Sequence, residues 1–363
     1  MESIVNDALS DQRPSKQKSQ FKDEETDEEL KNVLKGLKTK IYIVGLGGAG
    51  CNTINRISDE GIKGAELVAA NTDAQDLLST RANRKILMGK RITRGLGAGA
   101  KPEVGQKAAE EAEEKFKEIL GDSDIVFLTC GLGGGTGTGS IGTAAKIAKE
   151  SGALTIAVLT RPFDAEGKSR AENARWGIEH LRGIADTVIT IPNDKLLELV
   201  PRLSLNKAFK VADEILMRSI KGMTEIVTKP GLVNLDYNDL KTIMESSGQA
   251  MIGMGESTAN GNQRALEAID HAINSPLLDV DISEATGALL NVTGDSDMTV
   301  SEAEAVAEEI EKKIKPGAQI IWGCRVDPTM ENKLRVMLVA TGVKSEHIYG
   351  KEKEKKGPVE QVY

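Results

Sequence analysis

Three stretches of this chain carry residue types suited to holding phosphate. Gly45-Leu46-Gly47-Gly48-Ala49-Gly50 leaves an apolar run and opens a helical pattern. Gly131-Leu132-Gly133-Gly134-Gly135-Thr136-Gly137-Thr138-Gly139 does the same, and Gly95-Leu96-Gly97-Ala98-Gly99-Ala100 forms a third loop. Glycine lets the backbone close on an anion, and a helix N-terminus offers unpaired N–H groups and positive potential. The first loop alone has the form of a dinucleotide fingerprint, with Asp73 after the second strand where a ribose-binding acid would sit. NAD, FAD and a nucleoside triphosphate all fit that description. The second loop discriminates, because two such turns imply more phosphate than one pyrophosphate needs, and the third could close over a terminal phosphate. No Gly-x-x-x-x-Gly-Lys-Ser/Thr run is present, so this is not a P-loop. Backbone N–H groups, threonine hydroxyls and helix dipoles would hold the phosphates, with a Mg2+ ion sharing the charge.

Phe209 and Asp213 stand at i, i+4 in a long helical pattern and so share a face. Phe209 could stack on a purine, and the Asp213 carboxylate could accept hydrogen bonds from guanine N1–H and its exocyclic amine. Adenine has no N1–H and would leave a buried acceptor unsatisfied. The same pair also fits a core phenylalanine and a solvated aspartate. Hydrolysis needs a group that orients the attacking water, and no residue near the glycine loops is an obvious candidate. Asp236 and Asp239, at i, i+3 just after Gly231 with Asn234 beside them, are the best pair. They equally fit a helix N-cap and first-turn acid, and the two roles can coexist.

The elements that must position these groups alternate. Apolar strands are legible at 41–44, 67–70, 125–130, 154–159 and 187–191, with helical stretches at 102–120, 139–150 and 166–184. Buried strands alternating with helices predict a parallel sheet covered on both faces, with ligands beyond the carboxyl ends of its strands. Leu205, Phe209, Ala212, Leu216, Ile220, Met223 and Val227 predict a long helix over 204–228, stopped by Lys229-Pro230-Gly231. Helices at 237–246, 263–273 and 301–314, with strands at 250–254, 288–292, 319–326 and 334–340, predict an α+β region beyond it. Near the N-terminus, Thr26 and Glu29 fit a capping box ahead of Leu30, Val33, Leu34 and Leu37.

Composition narrows the partners. The net charge of −8 argues against a general nucleic-acid binder. No apolar run reaches membrane-span length, and the first residues are polar rather than signal-like. Cys51, Cys130 and Cys324 lie far apart and read as small buried residues of a reducing compartment, so the expected location is the cytoplasm.

The run Gly133 to Gly139 resembles the signature loop of the tubulin/FtsZ family, on the FtsZ side rather than that of eukaryotic tubulin. Further similar segments follow in order: Asn71-Thr72-Asp73-Ala74-Gln75, Gly95–Ala100 with Lys101-Pro102-Glu103, Arg161-Pro162-Phe163 with Glu166-Gly167-Lys168, Ile191-Pro192-Asn193-Asp194-Lys195, and Pro230-Gly231-Leu232 with Asn234, Asp236 and Asp239. The likeness spans roughly residues 39 to 342.

The resemblance implies a Rossmann-like GTP-binding domain joined by a central helix to a smaller α+β domain. It implies a GTPase that assembles into head-to-tail protofilaments of a mid-cell division ring. Nucleotide contacts are implied at Gly47, Gly48, Ala49, Gly50, Asn71, Asp73, Gly97, Ala98, Gly99, Pro162 and the whole run Gly133, Gly134, Gly135, Thr136, Gly137, Thr138, Gly139. Phe209 and Asp213 are implied at the base with Asn52 and Asn193, while Glu166 and Arg170 face ribose and phosphates. Mg2+ is expected mainly through the phosphates of GTP and water, with no protein metal site. Asn234, Asp236 and Asp239 are implied to act on the nucleotide of the next subunit. The expected divisions are an N-terminal extension (1–38), the GTP-binding domain (39–203), the central helix (204–230), the C-terminal domain (231–342) and a charged flexible tail (343–363).

In one respect the chain departs from the family. Bacterial members usually end in a linker and an apolar-plus-basic docking peptide. Here Lys351-Glu352-Lys353-Glu354-Lys355-Lys356 stands in the tail and no such peptide does. Tail-mediated tethering by the usual bacterial adaptors is therefore not expected; division-site adaptors of another kind are expected as partners, with the membrane met only indirectly. Two other readings remain open. An NAD-dependent oxidoreductase rests on the first loop and Asp73 but leaves two loops unexplained. A GTP-binding regulator of the tubulin superfamily that does not polymerise is opposed by Asn234, Asp236 and Asp239.

Overall fold

The computed structural model describes residues 39–199, 204–229, 231–233, 235–278 and 280–343. The helix expected near Thr26, the residue Asn234 and the tail from Lys344 onward lie outside the described residues.

The first half alternates as its apolar runs predict. Strands β1 (Ile41–Leu46), β2 (Ala65–Asn71), β3 (Arg84–Leu87), β4 (Ile125–Gly131), β5 (Leu154–Arg161) and β6 (Thr187–Pro192) are all parallel. Between them come α1 (Gly47–Asp59), α2 (Ala74–Ser79), α3 (Pro102–Glu111), α4 (Glu113–Leu120), α5 (Thr136–Glu150) and α6 (Lys168–Leu181). Ile125 through Cys130 are all buried, as a central strand covered on both faces requires.

After β6 come α7 (Asn193–Leu199) and the long helix α8 (Leu205–Thr228). At about 1.5 Å per residue, α8 is roughly 36 Å long. Ala212, Leu216, Ile220 and Met223 form its buried stripe. It packs on α1 and β5 and, further along, on β8. The second half holds α9 (Tyr237–Met244), β7 (Gly248–Ser257), α10 (Asn262–Ile273), β8 (Gly287–Gly294), α11 (Val300–Glu311), β9 (Gln319–Val326) and β10 (Leu334–Thr341).

All strands form one ten-stranded sheet in the order β3-β2-β1-β4-β5-β6-β7-β10-β8-β9. A short parallel ladder, Thr187–Gly248 to Ile189–Ala250, joins the two halves. Beyond it β7–β10 and β10–β8 are antiparallel.

Several expectations need correction. The helix expected over 102–120 breaks at Ala112 (φ −100°, ψ 7°) into α3 and α4. The helix expected from Gly139 begins a turn earlier, at Thr136, because a Gly-Thr run carries no apolar period to announce it. Three short elements had no expectation: α2, capped by Asp73; α7, which follows Pro192 directly; and β3, an edge strand with exposed Arg84 and Lys85. All three cysteines are buried and free. Burial pushes the Cys130 thiol up to about 12, leaving it unreactive.

Candidate functional site

A cleft of about 340 Å³ opens beyond the carboxyl ends of β1, β4, β5 and β6. All three glycine loops reach it. From the first, Gly47, Gly48 and Ala49 line the cleft; from the second, Gly134, Gly135, Thr136 and Gly137; from the third, Gly99 and Ala100. The loops press on one another. Gly47 has φ +69°, and a Cβ there would stand 2.8 Å from the Gly137 nitrogen. The Thr136 and Thr72 hydroxyls share a hydrogen bond of 2.6 Å, which ties α5 to the turn after β2.

Not every expected glycine lines the cleft. A Cβ on Gly50 would meet the Thr129 carbonyl oxygen at 2.8 Å, and one on Gly139 the Pro102 oxygen at 2.0 Å. These two let helices sit close against β4 and α3, and both lie outside the lining. Gly133 takes φ +103° to turn the chain. Its N–H donates to Thr138 Oγ1 at 2.9 Å, so that buried hydroxyl is used inside the loop. Gly97 donates to the Thr72 carbonyl at 3.2 Å and, like Ala98, is not among the lining residues.

Asn71 and Asp73 are not among the residues that line the cleft. Asn71 Oδ1 accepts from the Thr72 N–H at 2.8 Å, and its Nδ2 donates to Asp76 Oδ2 at 2.6 Å. Asp73 caps α2 by accepting from the Gln75 and Asp76 N–H groups. Burial, reinforced by the Asp73 charge, raises the Asp76 pKa. Asn173, which sequence reading missed, donates to the carbonyls of Ala100 and Gly133, both at 3.1 Å, and so clamps the second loop to the third. Its spacing of i, i+3 from Arg170 was the available signal.

The other wall of the cleft carries Pro162, Glu166, Arg170, Asn193, Phe209 and Asp213. Phe209 meets Phe163 edge to face, with centroids 5.2 Å apart. Glu166 accepts from the Phe163 N–H at 2.9 Å and pairs with Arg170. Asn193 is 4% exposed, and its Oδ1 has no hydrogen-bond partner among the described residues. A buried amide oxygen left unpaired beside a cleft marks a place where a ligand donor fits. Burial pushes Asp213 up to about 6 from its ordinary 3.8, against the opposing pull of Arg56. Asn52 is exposed on α1 and lies outside the lining. Among lining residues, Arg170 is the one cation.

Asp236 and Asp239 lie beyond the opposite end of α8. Asp236 Oδ1 accepts from the Asp239 N–H, and Asp239 Oδ2 from the Asp236 N–H, both at 2.9 Å, forming a capping box that starts α9. Asp236 is exposed, and Leu232 nearby is 57% exposed. No group of three or more His, Cys, Asp or Glu able to hold a metal ion exists among the described residues.

Glycine loops and helix N-termini around a cleft with a recessed carboxylate make a site suited to a nucleotide. A family model described as the Tubulin/FtsZ family GTPase domain matches residues 40–201, and one described as the FtsZ family C-terminal domain matches 248–344. Cell division protein FtsZ 1 of Archaeoglobus fulgidus is 55% identical over 354 residues, 97% of this chain and 96% of that protein. FtsZ of Methanothermobacter thermautotrophicus is 54% identical over 348 residues, covering 96% and 91%. Among solved structures, an empty FtsZ dimer from M. jannaschii superposes with a TM-score of 0.84 at 53% identity, covering 89% of this chain and 93% of that one. The chain belongs to the tubulin/FtsZ family, within its FtsZ branch, and is a tubulin-like GTPase of cell division. Membership displaces the oxidoreductase reading.

Proposed function

We propose that the cleft binds GTP and that Asp236 and Asp239 of a second copy, with Asn234, complete the hydrolytic site. One observation carries this reading. The acid pair lies beyond the far end of α8, whose stretch from Asp213 to Thr228 alone spans roughly 22 Å. The two acids in the cleft lining of the same chain are otherwise engaged: Glu166 pairs with Arg170, and Asp213 stands at the base wall. A head-to-tail stack would bring one copy's acids over the next copy's phosphates, and such heterologous contacts generate filaments.

Phosphates would rest on the N–H groups of Gly47–Ala49 and Gly134–Gly137, with the Thr136 hydroxyl beside them and Arg170 toward the ribose side. Phe209 would stack on guanine, and Asp213 with Asn193 would accept from and donate to its edge. Mg2+, carried on the phosphates and water, would supply charge neutralisation at the terminal phosphate. Asp239 and Asp236 would hold the attacking water by accepting its protons. The filaments would form a cytoplasmic ring at mid-cell and meet the membrane only indirectly, through division-site adaptors, a reading that family membership supports. The domain boundaries 39–203, 204–230 and 231–342 divide these labours between binding, spacing and activation.

Sedimentation with Mg2+ and GTP, compared with GDP and ATP, tests the reading. Pelleting with GTP alone is expected; equal pelleting with ATP, or none with GTP, would contradict it.

A further inference from the structure

The base wall contains one interaction that the sequence did not suggest. Arg56 lies in the last turn of α1, and its Nε stands 3.8 Å from Asp213 Oδ2. The same guanidinium donates from Nη1 to Glu214 Oε2 at 3.2 Å. It therefore spans two consecutive acids of α8, a geometry suited to a planar fork and not to an ammonium group. We propose that Arg56 is a positioning residue for base selection, aiming the Asp213 carboxylate along the cleft wall so that it can meet the guanine edge. This rests on the reading of Asp213 as the base contact.

Arg56 is itself held in place. Glu214 Oε1 accepts from Arg218 Nε at 2.7 Å, and Arg218 Nη1 reaches Glu256 Oε1 at 3.4 Å. Glu256 also accepts from Arg335 Nε at 2.5 Å across the β7–β10 ladder. A guanidinium fixed from behind by Glu214 loses little freedom when it meets Asp213, and that is what positioning requires.

Asp213 has 20% of its side chain exposed, so its charge is costly to keep. The elements packed against this stretch of α8 carry several charged groups: Arg56 on α1, Asp194, Lys195 and Glu198 on α7, and Arg161 on β5. Lys207 and Lys210 on α8 itself are exposed. Across the cleft Glu166 and Arg170 pair with each other. Burial raises the Asp213 pKa, and among the described residues Arg56 is the charge that acts on it in the other direction. Removing that cation moves protonation of Asp213 to higher pH, and a protonated carboxyl cannot accept both guanine donors.

The test is equilibrium binding of GTP and of ATP, each with Mg2+, to the full chain and to Arg56→Gln from about pH 5 to about pH 8.5. The chain itself is expected to lose GTP affinity as pH falls through about 6. In Arg56→Gln the loss should begin at higher pH, giving about three- to tenfold weaker GTP binding at about pH 7 and less than about twofold at about pH 8.5. ATP affinity should be unmoved, so discrimination narrows. Arg56→Lys should restore part of the pH profile. Arg56→Met keeps the apolar stem and gives the same measurement if the glutamine variant folds poorly. A pH midpoint unchanged in the folded Gln or Met variant, or equal losses for GTP and ATP, would overturn the inference. Asp213→Asn separates the two claims, since an amide there should favour xanthosine triphosphate over GTP. If that switch is absent, the reading of Asp213 fails; if it is present while the midpoint stays put, only the role of Arg56 fails.

Discussion

The two ends of α8 differ in how they are built. At its start, the loops around the cleft are locked by backbone contacts, down to the Thr138 hydroxyl consumed by the Gly133 N–H and the Asn173 clamp. Past its end, the Asp236 and Asp239 carboxylates accept from each other's backbone N–H groups, with Asp236 exposed, Asp239 half-buried and Leu232 exposed beside them. A rigid cradle suits recognition, because donors fixed in advance need no reorganisation when phosphate arrives. A partly exposed acid pair suits a surface that becomes active only when covered. On the proposed reading, the contrast teaches that one copy contains the binding machinery and only part of the chemical one.

The strongest way to break the comparison is to disable one end and look for damage at the other. Asp239→Asn should leave GTP affinity unchanged and lower kcat by about 10²-fold or more, the usual worth of a positioned acid–base group. Steady-state turnover alongside equilibrium binding checks this; a brisk Asp239→Asn enzyme would remove the acid pair from the mechanism. At the cradle end, Gly139→Ala forces a Cβ toward the Pro102 carbonyl at 2.0 Å. Overpacking of this kind costs about 1–3 kcal/mol, readable by chemical denaturation.

Smaller effects sharpen the same contrast. Asp236→Ala removes the N-cap of α9 and should cost about 1 kcal/mol of stability, in addition to its effect on turnover. Asn173→Ala should weaken GTP binding by roughly fivefold, the worth of about one net hydrogen bond, with kcat at saturation little changed.

The cleft also titrates. The Asp213 pKa in the folded chain is raised to about 6, above its ordinary 3.8. In the absence of nucleotide, this group therefore opposes folding fully above about 6, and that penalty is relieved as pH falls toward 3.8. GTP affinity runs the other way, declining as pH drops through about 6, because binding needs the carboxylate. Thermal melts with and without GTP across that interval should therefore converge on the acid side.

Much of this was legible in the sequence where a residue type has few other uses. Glycine loops following buried strands, and the 3.6-residue stripe of α8, both show through because backbone approach and burial leave a pattern in one dimension. The details that decide function at close range do not. Gly50 and Gly139 read as phosphate ligands in the sequence, while their neighbours give each a packing reason as well, since packing and binding both demand a missing side chain. Thr138 reads as a phosphate contact, yet its hydroxyl turns inward. Arg56 and Glu214 are separated by 158 residues and meet only because α1 packs on α8. The β6–β7 ladder that merges the two halves into one sheet rests on only a few residue pairs, too few to shape a sequence pattern. Asp236 and Asp239 satisfy a helix cap, a sufficient structural reason for both acids, so the sequence alone leaves the chemical role proposed for them open beside it.

The central claim is that the cradle of one copy and the acids of another make one site, and mixing two inactive variants tests it most directly. Asp213→Ala should lack GTP binding but keep its acid pair, while Asp239→Asn should bind GTP and lack the acid that acts on it. If the site is shared, combining them regenerates competent interfaces, about a quarter of the total under random head-to-tail mixing. GTPase activity should then rise well above the sum of the two variants alone. Activity no greater than that sum, with both proteins folded and co-sedimenting, would contradict the account.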